Sequence, residues 1–238
     1  GIRGTEDIAN NLALVYQWEA AMDWGADRSS GSKGFGSQRN TFIGFTGDWG
    51  TAIAGRHDTP FKLISRKYDL FGDTVGDSRN ILAQGFGQLD LGVDGVVNYP
   101  HFDQRTTNTI AYISPDLQGF QVKLAYVADH ELDDKKLDKY LARDYRGTNN
   151  DYDAWSVAAG YNIAGFSIDV GYEQHNIASN DVTKNDDQDA WRVGVGYEFD
   201  GFKVVALYQD AEIDFNGTSR ESWGLGGSYT FGNNTVKA

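Results

Sequence analysis

Large apolar side chains alternate with small or polar ones at every second residue, and this alternation recurs along the whole sequence. In the segment 155–162, Trp155, Val157 and Tyr161 share one face, and the positions between them are mostly Ser, Ala and Gly. The same period returns in the segments 12–19, 120–126, 166–173, 191–199 and 223–231. Because successive side chains of a β-strand point to opposite faces, a period of two predicts strands rather than helices. The sequence therefore predicts an all-β protein.

Composition excludes several other classes of protein. The 238 residues include 29 Gly, 3 Pro and no Cys, so the chain has neither a disulfide framework nor a thiol nucleophile. No run approaches the roughly 18 apolar residues of a membrane-spanning helix. The 34 acidic residues outnumber the 21 basic ones and give a net charge of -13, which argues against a nucleic-acid partner and favours cations. No Pro- or Ser-rich linker divides the chain, so we expect one domain over 1–238.

The two faces of the predicted strands indicate what surrounds the sheet. In a soluble sandwich the large apolar residues face a core, and the second face is rich in charged side chains. Here the second face is largely Gly, Ala and Ser with scattered charges. Aromatic residues also stand in pairs at the ends of one face, at Trp155 and Tyr161, Trp191 and Phe199, and Trp223 and Phe231. This spacing fits the two aromatic girdles around the apolar belt of a transmembrane barrel.

The connections between the predicted strands alternate in length. Short turns are expected at 7–11, 47–50, 115–119, 162–165, 200–201 and 232–234. Longer polar segments lie between them, at 22–37, 58–104, 129–151, 175–188 and 211–219. Outer-membrane barrels have short turns on one side and long loops on the other, whereas a soluble barrel has no reason to sort its loops in this way. The predicted fold is a transmembrane, antiparallel, up-and-down β-barrel.

The number of strands bears on whether such a barrel can close. About eleven strands can be counted, near 1–6, 12–21, 38–46, 51–57, 105–114, 120–128, 152–162, 166–174, 189–199, 202–210 and 220–231, and a twelfth begins at Thr235. In lipid, an open sheet edge leaves a row of unpaired backbone groups, each of which costs several kcal/mol. We therefore expect this sequence to be an incomplete barrel that lacks strands at one or both ends.

Three groups of short motifs occur in a linked order. They are GIRGTED at 1–7 with LVYQWE at 14–19, RNTFIGF at 39–45 with GDWGT at 47–51 and GR at 55–56, and IAYISP at 110–115 with GF at 119–120. In this order they resemble the second to sixth strands of the general porins of Gram-negative bacteria, which are trimeric, sixteen-stranded diffusion pores. The resemblance covers the whole chain and implies one strand before Gly1 and about three after Ala238. It also implies an outer-membrane location, contacts with membrane lipid and lipopolysaccharide, a homotrimer, and no cofactor.

The connection 58–104 is by far the longest, and a connection of this length usually carries function. The resemblance identifies it with the third loop of the family, which folds into the lumen and narrows the pore. It also implies a transverse field between acidic groups on this loop and basic groups on the opposite wall. The preferred acidic candidates are Asp73 and Asp77, followed by Asp69, Asp90 and Asp94.

The candidates for the basic side of the constriction are Arg56, Arg105 and Arg3. Parity along 51–57 predicts that Arg56 lies on the lumen face, with Ile53 and Gly55 on the other face. Arg56 and Arg3 match basic positions of the family, and Arg105 follows directly after the loop. The alternative for Arg56 is a lumen salt bridge without a role in transport, and for each aspartate it is a solvated loop charge.

Several further charged residues point inward by parity, and we interpret them as a wetted wall without a specific role. They are Lys123, Asp169, Glu173, Arg192, Glu198 and Lys203.

The predicted function is passive, size-limited diffusion of small hydrophilic solutes and ions, and the acidic balance predicts a preference for cations. One alternative is an adhesive or structural barrel whose loops are the working surface, which would not conduct. Another is a barrel hydrolase. Against the second, His57, His101, His130 and His175 have no recurring Ser or Asp spacing around them, and no metal site is expected.

Overall fold

Strands account for most of the residues that the computed structural model describes, which are 1–23, 34–82, 88–90, 96–98, 102–130, 152–177, 187–213 and 218–238. The strands are β1 (Ile2–Ala9), β2 (Leu12–Trp18), β3 (Ala20–Asp23), β4 (Gly34–Gln38), β5 (Thr41–Gly47), β6 (Gly50–Asp58), β7 (Gln88–Asp90), β8 (Val96–Asn98), β9 (Arg105–Ile113), β10 (Phe120–His130), β11 (Tyr152–Ile163), β12 (Phe166–Ile177), β13 (Gln188–Phe199), β14 (Phe202–Ile213), β15 (Thr218–Phe231) and β16 (Asn234–Lys237). Two helices, α1 (Pro60–Tyr68) and α2 (Arg79–Leu82), follow β6.

Twelve of the strands form one antiparallel sheet, in the order β1-β2-β5-β6-β9-β10-β11-β12-β13-β14-β15-β16. Neighbours in the sheet are also neighbours along the chain, apart from two small hairpins, β3-β4 and β7-β8, that lie within connections. This arrangement confirms the predicted all-β, up-and-down fold. Within the described parts of the chain, no ladder joins β1 to β16, so the sheet is open between them.

The short connections between long strands are tight hairpin turns. Ala164 and Gly165 have φ angles of 47° and 82°, and Asp200 and Gly201 have φ angles of 46° and 79°. Positive φ at both central residues belongs to the turn whose twist matches the strands it joins. These turns fix the register in which Ile163 pairs with Phe166. A one-residue slip would exchange the two faces of the sheet.

The two faces of the sheet reverse the usual distribution of polarity. The outer face carries large exposed apolar side chains, including Trp155, Trp191 and, at 78% exposure, Trp223. The enclosed face buries polar groups as well as alanines, among them Ser156, Asp169, Glu173, Arg192 and Gln209. A soluble sheet would bury the first set and expose the second. The distribution is that of a barrel whose outer face meets lipid.

The connection after β6 is partly helical, a feature the alternation pattern could not predict. Thr59 caps α1 by accepting a hydrogen bond from the Lys62 backbone N–H at 3.3 Å, and Pro60 occupies the first turn. Arg66 and Lys67 lie in the last turn, where positive charge complements the helix dipole. No helix among the described residues is long and apolar enough to cross a membrane.

The buried apolar clusters lie between this connection and the enclosed face of the sheet. One consists of Phe61, Phe102, Ala190 and Ala211. A second contains Ile64, Tyr68, Leu82, Ala158, Val205 and Leu207. Helix α1 contributes to both, so its apolar side is held against the inner surface of β10 to β14.

Candidate functional site

Helix α1 is attached to the enclosed face by polar contacts at both ends. At its start, the Phe61 backbone N–H donates to Ser156 Oγ at 3.0 Å. At its end, Lys67 Nζ donates to Asp169 Oδ2 at 2.5 Å, and Tyr68 Oη donates to the same oxygen at 2.6 Å. Two successive strands of the wall, β11 and β12, therefore hold one short helix, which places the start of the long connection on the enclosed side of the sheet.

Among the charged residues of the enclosed face that the structure describes, Arg192 is the most deeply buried, with no exposed surface. Its guanidinium donates to Asp103 Oδ1 and to the Phe61 carbonyl, both at 3.1 Å, and also to Gln209 Oε1. The Phe61 ring lies 4.1 Å from the guanidinium carbon, which adds a cation–π contact. The interpretation of Arg192 as wetted wall was wrong, because the segment that packs over it removes it from water. Asp169 and Glu173 are buried in the same way.

A cluster of charges lies where β6, β9 and α1 meet. Arg105 donates to Asp58 Oδ2 at 3.2 Å and, through Nε, to Asn40 Oδ1 at 2.6 Å. Lys62 Nζ lies 2.8 Å from Asp58 Oδ1. Burial lowers the pKa of the Lys62 ammonium, and the nearby Asp58 carboxylate opposes this shift. One carboxylate is thus shared by two cations on different elements.

Arg56 belongs to the same cluster, as it lies within electrostatic reach of both Arg105 and Asp58. Its Nε is buried and has no hydrogen-bond partner among the described residues. The structure therefore places Arg56 near Arg105, and a role of the two residues in a pore constriction stays a prediction.

The parity argument for Arg56 was nevertheless wrong in its premise. Ile53 is buried on the enclosed face, and Ala54 is exposed on the outer face, which is the reverse of the predicted assignment. A bulge then interrupts the ladder with β9 between Gly55 and His57. Because a bulge places an extra residue in one strand, alternation cannot be extended through Arg56. The position of Arg56 in the cluster is a consequence of this irregularity.

Arg3 lies away from this cluster. It is exposed on β1, where it pairs in register with Gln17, three strands from β6 in the sheet. Within the described residues, no hydrogen bond or ion pair of its side chain connects it to Arg56 or Arg105.

Asp73 and Asp77 pair with arginines of their own segment. Asp77 is buried and accepts from Arg79 at 2.6 Å and from Arg66 at 3.3 Å. Asp73 is largely exposed and lies 2.9 Å from Arg79 and 3.1 Å from Arg66. Hydrogen bonds from Arg79 hold the pKa of Asp77 well below its usual range, and the same pairing raises the pKa of Arg79. A position opposite Arg56 stays a prediction for both aspartates.

The other acidic candidates are less informative. Asp69 stabilises the local turn, since its carboxylate accepts from the backbone N–H of Phe71 at 2.8 Å and of Ser78 at 3.0 Å. Asp90 is the last residue of β7, but its side chain lies outside the described residues, as does the whole of Asp94.

Sequence reasoning missed Arg66 and Arg79, which neutralise the two preferred aspartates. The aspartates of 69–77 drew attention to the acidic groups alone. Only the positions of Arg66, four residues before Leu70, and of Arg79, two residues after Asp77, could have pointed to local ion pairs. The described residues contain no group of three or more His, Cys, Asp or Glu placed to hold a metal ion.

Comparison with protein families gives a match over the full length of the chain. A family model described as Gram-negative porin matches residues 1–238. An outer membrane porin protein of Bordetella pertussis is 29% identical over 234 residues, which cover 97% of this chain and 48% of that protein. The major outer membrane protein P.IA of Neisseria meningitidis serogroup C is 28% identical over 127 residues, or 53% of this chain and 28% of that protein. The chain spans about half the length, or less, of these curated relatives.

Solved structures share the same architecture. An anion-selective porin from Comamonas acidovorans superimposes with a TM-score of 0.70 at 24% identity, covering 99% of this chain and 65% of that one. The outer-membrane expressed OmpT of Vibrio cholerae gives a TM-score of 0.61 at 14% identity, covering 98% of this chain and 63% of that one. Similarity at this level of identity establishes the fold.

Proposed function

The chain belongs to the Gram-negative porin family, and we propose from this premise that it forms a water-filled pore for passive diffusion of small hydrophilic solutes and ions. Its location is the outer membrane. Outer-membrane lipid and lipopolysaccharide surround it in this proposal, and the complete protein is a homotrimer. Transport of this kind needs no cofactor and no bond chemistry, so the protein is not an enzyme.

The observation that carries the proposal is the polarity of the two faces. A sheet whose outer face exposes Trp155 and Trp223 while its enclosed face holds ionised groups is suited to lipid outside and water inside. A segment with its own charges, 60–82, lies on the enclosed side. We propose that it is part of a constriction formed by 58–104, with Arg56 and Arg105 among the groups that face the permeating ion.

Ion selectivity is the finer part of the proposal. The net charge of -13 favours cations in the lumen. The described cluster opposes this, because Arg56, Lys62 and Arg105 outnumber Asp58, and the Comamonas porin is anion-selective. We propose a cation preference that this cluster weakens. Charges nearest the narrowest point act most strongly on selectivity.

Conductance of the complete protein in a planar lipid bilayer tests the function. Stepwise increases of current, in groups of three for a trimer, are expected after insertion. A barrel with a plugged lumen and adhesive loops would give no steps, and that outcome would reject the pore. Anion preference in the reversal potential would reject the selectivity while leaving the pore intact.

A further inference from the structure

Four glycines of the enclosed face lie beneath the long connection where it crosses β11, β12 and β13. They are Gly160, Gly171, Gly194 and Gly196, and all four are buried. None of them has a φ angle in the left-handed region. Their backbone conformation is therefore open to any residue, and the reason for glycine must be the space that a side chain would fill.

Tyr68 fills the space above two of these glycines. A Cβ placed at Gly194 would overlap the Tyr68 ring, and one placed at Gly196 would come within 3.1 Å of Tyr68 Cε1. Tyr68 is only 4% exposed, and its ring occupies the space that side chains at positions 194 and 196 would fill. Even alanine at position 194 would force the ring to move.

The hydroxyl of Tyr68 is fixed at the same place. It donates to Asp169 Oδ2 at 2.6 Å, and Lys67 Nζ donates to that oxygen as well. A Cβ at Gly160 would overlap the Asp169 carboxylate, so this glycine makes room for the acceptor. Burial and the hydrogen bond to Asp169 raise the pKa of the Tyr68 hydroxyl, which keeps it protonated as a donor.

Ile64, one helical turn before Tyr68, occupies a second gap in the wall. A Cβ at Gly171 would lie 2.6 Å from Ile64 Cδ1 and 3.5 Å from Phe61 Cδ2. Residues 61, 64 and 68 share one face of α1, because positions three and four apart are neighbours on a helix. The glycines thus form a slot that receives one face of the helix.

We propose that the seating of Tyr68 on Gly194 determines how far α1 stands out from the wall, and that it thereby sets the free width of the lumen beside α1. Tyr68 is a positioning residue in this proposal, since its ring faces the wall and acts on the pore through the helix. The inference rests on the proposed pore function.

The test is single-channel conductance of the complete protein carrying Gly194→Ala. The added methyl group must push the ring, and α1 with it, toward the lumen, because the wall closes the other side. Relief of the overlap needs a shift of about 1–2 Å, which for a channel on the order of 10 Å wide lowers conductance by roughly 10–30%. The largest neutral polyethylene glycol that enters the pore should become smaller in parallel.

Gly224→Ala is the matched control. Gly194 and Gly224 are both directly opposite Leu207 in the sheet, so they occupy matching register positions on the two strands that flank β14. A Cβ at Gly224 meets no atom within 4 Å, and this variant should conduct like the parent protein. The control separates crowding beneath Tyr68 from the general effect of replacing a glycine in a strand.

Two changes at Tyr68 complete the test. Tyr68→Ala should raise conductance by itself and should cancel most of the decrease caused by Gly194→Ala, since the two residues act through one contact. Tyr68→Phe keeps the ring and should preserve channel size. A purely structural role would reduce the number of inserted channels without changing the conductance of each.

The outcomes distinguish this inference from the pore function itself. If the parent protein does not conduct, the pore is rejected. If the parent conducts, and Gly194→Ala has the same conductance as the parent and as Gly224→Ala, the proposed role of the slot is rejected. The proposed pore function is not affected by that result. If Gly194→Ala lowers the conductance by the same amount in the parent protein and in the Tyr68→Ala variant, the proposed role of the slot is also rejected.

Discussion

Arg56 is the residue whose surroundings most directly link structure to transport. Its neighbours Arg105 and Lys62 both contact Asp58, whereas its own Nε has no hydrogen-bond partner among the described residues. A guanidinium that is only partly engaged keeps more of its field available to a passing ion. Its charge should therefore influence selectivity more than that of a lysine or arginine neutralised by a close carboxylate.

Arg56→Ala should increase cation preference. A unit charge about 10 Å from the ion path contributes roughly 0.4 kcal/mol in water, with opposite sign for cations and anions, which corresponds to about a fourfold change in the cation-to-anion permeability ratio. The reversal potential under a salt gradient measures this ratio. Lys203→Ala, which removes the same charge at the turn end of β14, is the control and should have a smaller effect. An unchanged reversal potential for Arg56→Ala would mean that Arg56 is not in the constriction.

The segment after α1 is the element whose conformation depends most on ion pairs. Asp77 is buried between Arg66 and Arg79, and its carboxylate also accepts from the Asp73 backbone N–H at 2.7 Å. Asp69 ties the start of the turn to Ser78. Val75, between the two aspartates, is fully exposed and contributes no buried apolar surface. The fold of 69–79 therefore rests on a carboxylate that must stay ionised.

Acid should loosen this segment only under strongly acidic conditions. The pKa of Asp77 is depressed in the folded protein, so its contribution is complete above the ordinary carboxyl value of 3.8 and is lost as the pH falls through the lower, folded value. Single-channel current noise should stay low from neutral pH down to pH 3.8. It should rise as the pH falls from there through the lower, folded pKa of Asp77. Asp77→Asn should show the noise already at neutral pH.

Asp73→Asn is the control for this effect, because the Asp73 side chain is 74% exposed and pairs with the same arginines. Its loss should matter less, since exposed ion pairs contribute little. Noise that rises equally in both variants, or in neither, would contradict the role given to Asp77.

The whole molecule carries an excess of acidic groups, and its electrostatic effect should depend on salt. The net charge of -13 is spread over the chain, so most of it acts at a distance. The Debye length falls from about 10 Å at 0.1 M salt to about 3 Å at 1 M. A preference that arises from distributed charge must weaken over this range.

The cation-to-anion permeability ratio should accordingly fall, between 0.1 M and 1 M potassium chloride, toward the ratio of the ion mobilities in free solution. Reversal potentials at a fixed concentration ratio, measured at several mean concentrations, follow the change. A preference that does not depend on salt would point to charges in close contact with the ion, and anion preference throughout would contradict a dominant role of the net charge.

The strands and their orientation follow from the sequence alone. Alternation at Trp155, Val157 and Tyr161 is a local property, and the pleat of a strand converts it directly into two faces. Short turns such as Asp200-Gly201 are equally local, because they depend on residues that tolerate positive φ. The barrel architecture, the strands of the twelve-stranded sheet and the reversed polarity of the faces could therefore be predicted, but the two small hairpins within the connections could not. Arg56 and Arg105 were both predicted for the basic side of a constriction, and that role stays a prediction.

Only the tertiary structure decided what lies against the enclosed face. The pattern of β13 cannot distinguish a wetted Arg192 from one buried beneath Phe61, because Phe61 lies 131 positions earlier in the chain. The bulge beside Arg56 and the seat of Tyr68 on Gly194 also depend on contacts between distant segments. A period of two identifies the faces of a strand, but which groups meet across an enclosed space depends on how the long connection folds back into it.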